Sequence, residues 1–499
     1  MSSSDTGFFG HPKGLATLFF TEMWERFSYY GMRAMLLLFM VATIESGGLG
    51  LDEKIAGAIY GLYTMFVYLL ALPGGWLADK FFGLRKSVFY GGCIIALGHF
   101  CLALPRQETF FLGLLLIMIG TGLLKPTISS LVGELYTADE PARRDAGFSI
   151  FYMGINIGGF ISPLIVGELR TYNWHFGFAA AGIGMLIGLI QYKLTEHNLG
   201  DAGLYPERSA DPVVQQKRER SIRNSLLVFT VALIVFVSLL FMRIIVINPV
   251  VIADASKYIL MTSAAAYFLY LMFFTGQDVA GRLKLVALAI FFVASAFLYS
   301  GYEQQGSSLN LFADRYTDLK IGSFSIRPEW FQSVPSLVVV LFVPVFAWLW
   351  VWLGKRKLNP VTPVKMSLGP IFIGLSFAAM MSASMVVVGG GLASPWWLIL
   401  TFTLSTFGEI CLYPTGMSAT SKLAPKNILG QLMGIWFMSL AFGNLIAGLY
   451  AGEFDKTAIE ANPHLLVDLF GYFAKIMLGA GLIILVFYKP IRKLMGNVN

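Results

Sequence analysis

An all-α fold that crosses a membrane many times is what this sequence predicts, and three observations carry the prediction. Hydrophobic residues fill 56% of the 499 positions and charged residues only 13%. A soluble domain carries about 25% charge. Apolar runs long enough to span a bilayer recur from one end of the chain to the other. Lys and Arg gather in alternate loops instead of spreading evenly. The net charge of +7 is therefore topological and does not mark a nucleic-acid binder. Cys93, Cys101 and Cys411 all fall in apolar runs, with neither a disulfide framework nor metal-ligand spacing. His11, His99, His175, His197 and His464 show no ligand spacing, and no nucleophile–base pair is visible, so an enzyme is not expected.

Fourteen spans are expected, near 13–43, 54–80, 86–104, 108–136, 143–169, 174–194, 224–246, 254–276, 283–313, 328–353, 364–387, 395–422, 428–451 and 466–494. Residues 1–12 are polar and short, so no cleavable signal is expected before the first span. With the N-terminus inside, the inner segments hold about 23 Lys/Arg and the outer segments about 9. Lys80/Arg85/Lys86, Arg143/Arg144, Lys217/Arg218/Arg220/Arg223, Lys355/Arg356/Lys357 and Lys489/Arg492/Lys493 are the inner clusters. Both termini are then cytoplasmic. A polar, then basic linker covers 195–223. The next two spans, in 224–281, hold mainly Leu, Val, Phe, Ala and Met and read as lipid-facing additions. What remains is six spans in 1–194 and six in 282–499. That is the layout of a two-bundle secondary transporter with its site near mid-membrane.

The first span is the unusual one. Glu22, Glu25, Arg26 and Arg33 sit where hydrocarbon is expected, each at a cost of about 2.5–3.5 kcal/mol at a helix centre. At helical spacing Glu22, Glu25, Arg26, Tyr29 and Arg33 share one face. Two readings fit: a buried ion-pair network that locks packing, or a handle for protons and substrate. Lys125, ahead of Pro126 and deep within its span, needs a counter-charge. Asn156, between Gly154 and Gly158, fits either interhelical glue or ligand contact. Glu303 is placed to pair with Arg33 or Lys125. Glu409 stands alone in its span and must face a cavity. Arg33 and Lys125 on one side and Glu409 on the other would bridge a small zwitterion.

Several motifs resemble known ones. Gly74-Gly-Trp-Leu-Ala-Asp79-Lys80-Phe-Phe-Gly83-Leu-Arg85-Lys86 is similar to the signature loop of the major facilitator superfamily, with one extra residue before Gly83. It implies a gating role for Asp79 and Arg85. Glu22-x-x-Glu25-Arg26-Phe27-x-Tyr29-Tyr30-Gly31 resembles the hallmark of the proton-dependent oligopeptide transporter (POT, or PTR) family. Phe151-Tyr152-x-x-Ile155-Asn156-x-Gly158 resembles its second signature. Gly408-Glu409 through Lys422-Leu-Ala-Pro425 to Met433-Gly-x-Trp436-Phe437 is similar to its tenth and eleventh core spans.

The resemblance implies a major facilitator fold of fourteen spans and import of di- and tripeptides by proton symport, with no cofactor beyond the proton. It implies proton coupling at Glu22, Glu25 and Arg26. It places the peptide carboxylate near Arg33 and Lys125, and its amine near Glu409 and Asn156. Tyr29, Tyr30, Tyr68 and Trp436 match pocket-lining positions, and Glu303 matches a gating carboxylate. The short loop near 388–394 lacks room for the extracellular domain of animal relatives, which implies a bacterial, inner-membrane protein without an obligate protein partner. Two departures stand out: Pro335 replaces a usual asparagine, and Tyr413 replaces a common serine. The alternative is a carrier of the same fold for another small solute, such as nitrate, a drug or an amino-acid conjugate.

Overall fold

The computed structural model describes residues 6–137, 139–208, 211–425 and 428–496. A short hairpin, β1 (Thr6–Phe8) and β2 (His11–Pro12), precedes α1 (Lys13–Val41). Then come α2 (Glu53–Leu69), α3 (Ala71–Leu77), α4 (Leu84–Leu102), α5 (Gln107–Glu134), α6 (Pro141–Leu169) and α7 (Trp174–Thr195). Next are α8 (Pro212–Phe241), α9 (Pro249–Phe274), α10 (Val279–Tyr302) and α11 (Ser308–Tyr316), and a hairpin of β3 (Lys320–Ile321) and β4 (Phe324–Ser325). The chain closes with α12 (Val334–Lys355), α13 (Thr362–Val388), α14 (Pro395–Leu423), α15 (Leu429–Ala451), α16 (Lys456–Ala461), α17 (His464–Val486) and α18 (Tyr488–Leu494).

Each expected span coincides with helix. Among the described residues, twelve helical segments are long and apolar enough to cross a membrane. The other two expected spans correspond to α1, 29 residues long and diluted by its four buried charges, and α4, 19 residues long and opened by Arg85 and Lys86. The expected spans are also less regular than an unbroken helix. Pro73 has no N–H to offer Leu69, and the helix breaks at Leu70 between α2 and α3. After α3 the residues Ala78–Phe82 form one π turn, closed by the Gly83 amide donating to the Ala78 carbonyl at 2.8 Å. Gly83, at φ +78°, then turns the chain into α4. The run expected as a single span over 283–313 breaks as well. A 3-10 turn over Glu303–Gly306 separates α10 from α11 and sets Glu303 at the break. Pro335 lies in the first turn of α12, where a missing N–H costs nothing.

Contacts divide the chain into two compact units. The first takes the chain up to Tyr29, Leu69–Gly158 and His175–Ile252. Within it α4 and α5 run along each other, with Gly91 against the Gly120 carbonyl and Gly98 against that of Gly113. Inside lipid no hydrophobic force pulls helices together, so such close backbone fits supply the dispersion contacts that do. Leu15, Leu18, Val88, Ile128, Leu131 and Tyr192 fill its core. The second unit takes Tyr30–Tyr68, Gly159–Trp174 and Ala253 onward. Here α13 packs on α14 and α17, and α10 on α15. The latter part of α1, nearly all of α2 and the end of α6 thus pack with the C-terminal helices. Along α8 the apolar stretch is almost wholly exposed.

Candidate functional site

In the first unit the α1 charges meet as the helical spacing requires. Arg26 Nε lies 3.0 Å from Glu22 Oε1, one turn earlier, and it also pairs with the neighbouring Glu25. All three side chains are buried. The Arg26 guanidinium stands 5.4 Å from the Tyr29 ring centroid, and Lys125 of α5 is within electrostatic reach of Glu22. Two carboxylates and two cations make the group formally neutral, which is what burial away from water demands. Asn156 Nδ2 donates to the Tyr152 carbonyl at 2.9 Å on its own helix. Gly158 explains the small residues around it: a Cβ there would lie 2.3 Å from the Met23 carbonyl and 3.2 Å from Arg26 Cβ. Only glycine lets α6 reach the charged face of α1.

The second unit holds the remaining α1 charge. Arg33 Nη2 pairs with Glu303 Oε2 at 2.8 Å, and Arg33 Nε donates to the Tyr60 hydroxyl at 2.9 Å. Of the two partners the sequence offered Glu303, the structure joins it to Arg33. Glu409 of α14 is half-buried and accepts a hydrogen bond from Tyr302. Tyr299 and Tyr413 are close enough to feel its charge. Tyr30 has the same relation to Tyr302 and Tyr413, and Tyr68 to Tyr299. Trp436 is buried over Gly416, where a Cβ would lie 2.0 Å from the indole. Its Nε1 has no hydrogen-bond partner among the described residues, so a donor waits for an acceptor there.

Sequence reasoning missed a set of ion pairs in the second unit. Fully buried Glu329 pairs with Arg170, which also lies 3.3 Å from Asp314 and 4.7 Å from the Trp174 ring centroid. Arg315 meets Glu53 at 2.8 Å, and Arg327 meets Glu168 at 3.0 Å. Each tie joins the end of α6 or the start of α2 to the end of α11 or to the segment just before α12. No signal in the sequence gives these pairings, since each charge sits at a helix end and reads as solvated.

The loop before α4 carries Asp79 and Arg85, for which a gating role is expected. The linker docks on it. Arg85 donates to the Ala202 carbonyl at 2.6 Å and to the Gly200 carbonyl. Lys80 pairs with Glu207, and Glu134 accepts from the Gly203 amide at 2.6 Å. Asp79 takes part through its backbone carbonyl, which accepts from the Glu207 amide at 2.8 Å.

A many-helix membrane carrier with paired charges inside its spans is the class these features define. The family model PTR2, described as the POT family, matches residues 85–465. The chain is 41% identical over 501 residues to the "Peptide transporter YePEPT" of Yersinia enterocolitica subsp. palearctica, covering 99% of this chain and 97% of that one. It is 36% identical over 517 residues to the "Di-/tripeptide transporter" of Lactococcus lactis subsp. cremoris, covering 100% and 99%. A crystal structure of a mutant peptide transporter POT in complex with alafosfalin superposes with a TM-score of 0.88 at 40% identity, covering 99% and 98%. The chain belongs to the POT family.

Proposed function

We propose that this protein imports di- and tripeptides by proton symport, with access alternating between the two sides of the membrane. One observation carries the reading: two sets of carboxylates inside the helices have different kinds of partner. Glu22 and Glu25 are ion-paired in a neutral group with Arg26 and within reach of Lys125. Protonating one of these carboxylates leaves a net positive charge in a low-dielectric interior, and an anionic cargo group relieves it. Among the described residues Glu409 forms no direct ion pair; it accepts a hydrogen bond from Tyr302, Tyr299 and Tyr413 stand close by, and Arg33 and Glu303 act on it electrostatically, so a carboxylate among tyrosine rings is left to meet an ammonium group. In this reading Glu22, Glu25 and Arg26 handle the proton. Arg33 and Lys125 recognise the peptide carboxylate, and Glu409 and Asn156 its amine. Tyr29, Tyr30, Tyr68 and Trp436 line the cargo, and Glu303, Asp79 and Arg85 gate. The similar proteins named as peptide transporters support the cargo class.

The finer layout belongs to the same proposal. All fourteen expected spans cross the membrane, both termini are cytoplasmic, and the membrane is the inner one of a bacterium. Six-span bundles occupy 1–194 and 282–499, joined by the linker 195–223 and the two extra spans of 224–281. The proton is the only coupling species, and no metal, cofactor or obligate protein partner enters. The test is uptake of labelled dialanine in proteoliposomes under an inward proton gradient. Glu22→Gln should keep counterflow exchange and lose accumulation, and Glu409→Ala should lose both. Uptake by the wild type that ignores pH gradient and voltage alike would overturn the symport reading.

A further inference from the structure

Tyr413 lies one helical turn beyond Glu409 on α14, about 6 Å along the axis and on the same face. Opposite, on α10, Tyr299 lies one turn before Tyr302. The two helices face each other in two rungs. In one, Tyr302 meets Glu409. In the other, the rings of Tyr299 and Tyr413 stand edge to face, with centroids 6.5 Å apart at 90°. Tyr299 cannot yield: it is 3% exposed, and α15 presses on it so closely that a Cβ on Gly443 would lie 2.5 Å from its own Cβ. Tyr413 is only half-buried. Its ring is therefore the surface that anything held at Glu409 meets on that side.

We infer that Tyr413 fixes the size of the first residue of the cargo. The inference rests on the reading that Glu409 holds the peptide amine. A peptide whose ammonium group bonds Glu409 carries its first side chain on the next atom. That side chain must fit between the carboxylate and the Tyr299–Tyr413 rung. A methyl or hydroxymethyl group fits within one helical turn; a benzyl group does not. Tyr299 cannot move and backs the Tyr413 ring, so extra atoms pressed against that ring are met with strain. The second residue of the cargo is not on this rung and escapes the limit.

The experiment is competition against labelled dialanine by Ala-Ala, Phe-Ala and Ala-Phe, for wild type, Tyr413→Ala and Tyr413→Phe in proteoliposomes. Thermal shift of each detergent-solubilised protein by the same unlabelled peptides reads binding even where transport is lost. In Tyr413→Ala the affinity of Phe-Ala relative to Ala-Ala should rise about tenfold or more, while that of Ala-Phe relative to Ala-Ala should move less than about threefold. Tyr413→Phe should keep the wild-type ratios, because the ring and not the hydroxyl sets the limit. Equal shifts for Phe-Ala and Ala-Phe, or none for either, would overturn the role of Tyr413 while leaving peptide transport intact. A fall in relative Phe-Ala affinity would make the ring a stacking platform and overturn the size limit. If wild type neither carries nor binds dialanine, the peptide reading itself fails.

Discussion

Glu329 and Arg170 form a pair whose two halves should not be equally costly to lose. Glu329 has no exposed surface, and Arg170 is its basic partner among the described residues. Arg170 is 16% exposed and keeps Asp314 at 3.3 Å and the Trp174 ring at 4.7 Å if Glu329 is neutralised. Breaking a buried pair costs about 3–5 kcal/mol because the survivor is left charged and dry. The leftover partners put Glu329→Gln near the lower end, about 3 kcal/mol. Arg170→Met strands Glu329 with nothing in exchange and belongs near the upper end, about 5 kcal/mol. At about 2 °C per kcal/mol for a large protein, melting should fall by about 6 °C and about 10 °C. The double variant Arg170→Met/Glu329→Gln strands no charge and should cost about 3 kcal/mol or less, against an additive sum of about 8 kcal/mol. The assay is thermal unfolding in detergent, read in a Cys93→Ser/Cys101→Ser background by a thiol-reactive dye reaching buried Cys411. If the two single costs simply add in the double variant, the pair carries no coupling and the reasoning fails.

Three more outcomes are expected. Gly416→Ala should drive the Trp436 indole aside and weaken dipeptide binding, whereas Gly430→Ala, whose Cβ meets nothing within 4 Å, should not; equal effects in a binding assay would count against the seat. Arg85→Ala should release the linker more than Glu207→Ala, because Arg85 bonds two backbone carbonyls while the Lys80–Glu207 pair is exposed; limited proteolysis within 199–208 reads this, and the reverse order would contradict it. His11 donates to or accepts from the Tyr136 hydroxyl at 2.9 Å, and burial, with Arg143 beside it, holds its pKa below the ordinary value. The unfolded hairpin binds that proton more readily, so docking is firm above pH of about 6.5 and weakens as pH falls toward the lowered value. Hydrogen exchange of residues 8–14, corrected for intrinsic rates, should show this in wild type and not in His11→Gln.

The sequence showed the α1 charges clearly because a single helix fixes their spacing: Glu22, Arg26, Tyr29 and Arg33 need no tertiary knowledge to share a face. Glu303 was narrowed to two cations by depth alone, and only the folded chain distinguished them. The ties at Glu329, Glu168 and Glu53 were illegible for a different reason. Their partners lie 159, 159 and 262 residues away. A charge at a helix end gives no hint that such a partner will cover it. The linker was read only as a polar, then basic connection between spans. Its docking depends on the carbonyls of Gly200 and Ala202, and backbone acceptors leave no mark in a residue pattern. Trp436 was identified through resemblance, but its seat on Gly416 came only from packing, since one glycine among many has no distinctive periodicity.

The π turn at Ala78–Phe82 bears on how this loop tolerates a change of length. One added residue in a helix rotates everything after it by about 100° and lifts it by about 1.5 Å. Here the surplus residue is wound out locally, in the single wide turn that Gly83 closes. Neither α3 nor α4 has to shift register, and the glycine contacts between α4 and α5 stay in phase. The wide turn is a slack loop of rope rather than a twist along its length, and deleting one residue there should leave the bundle packed as before.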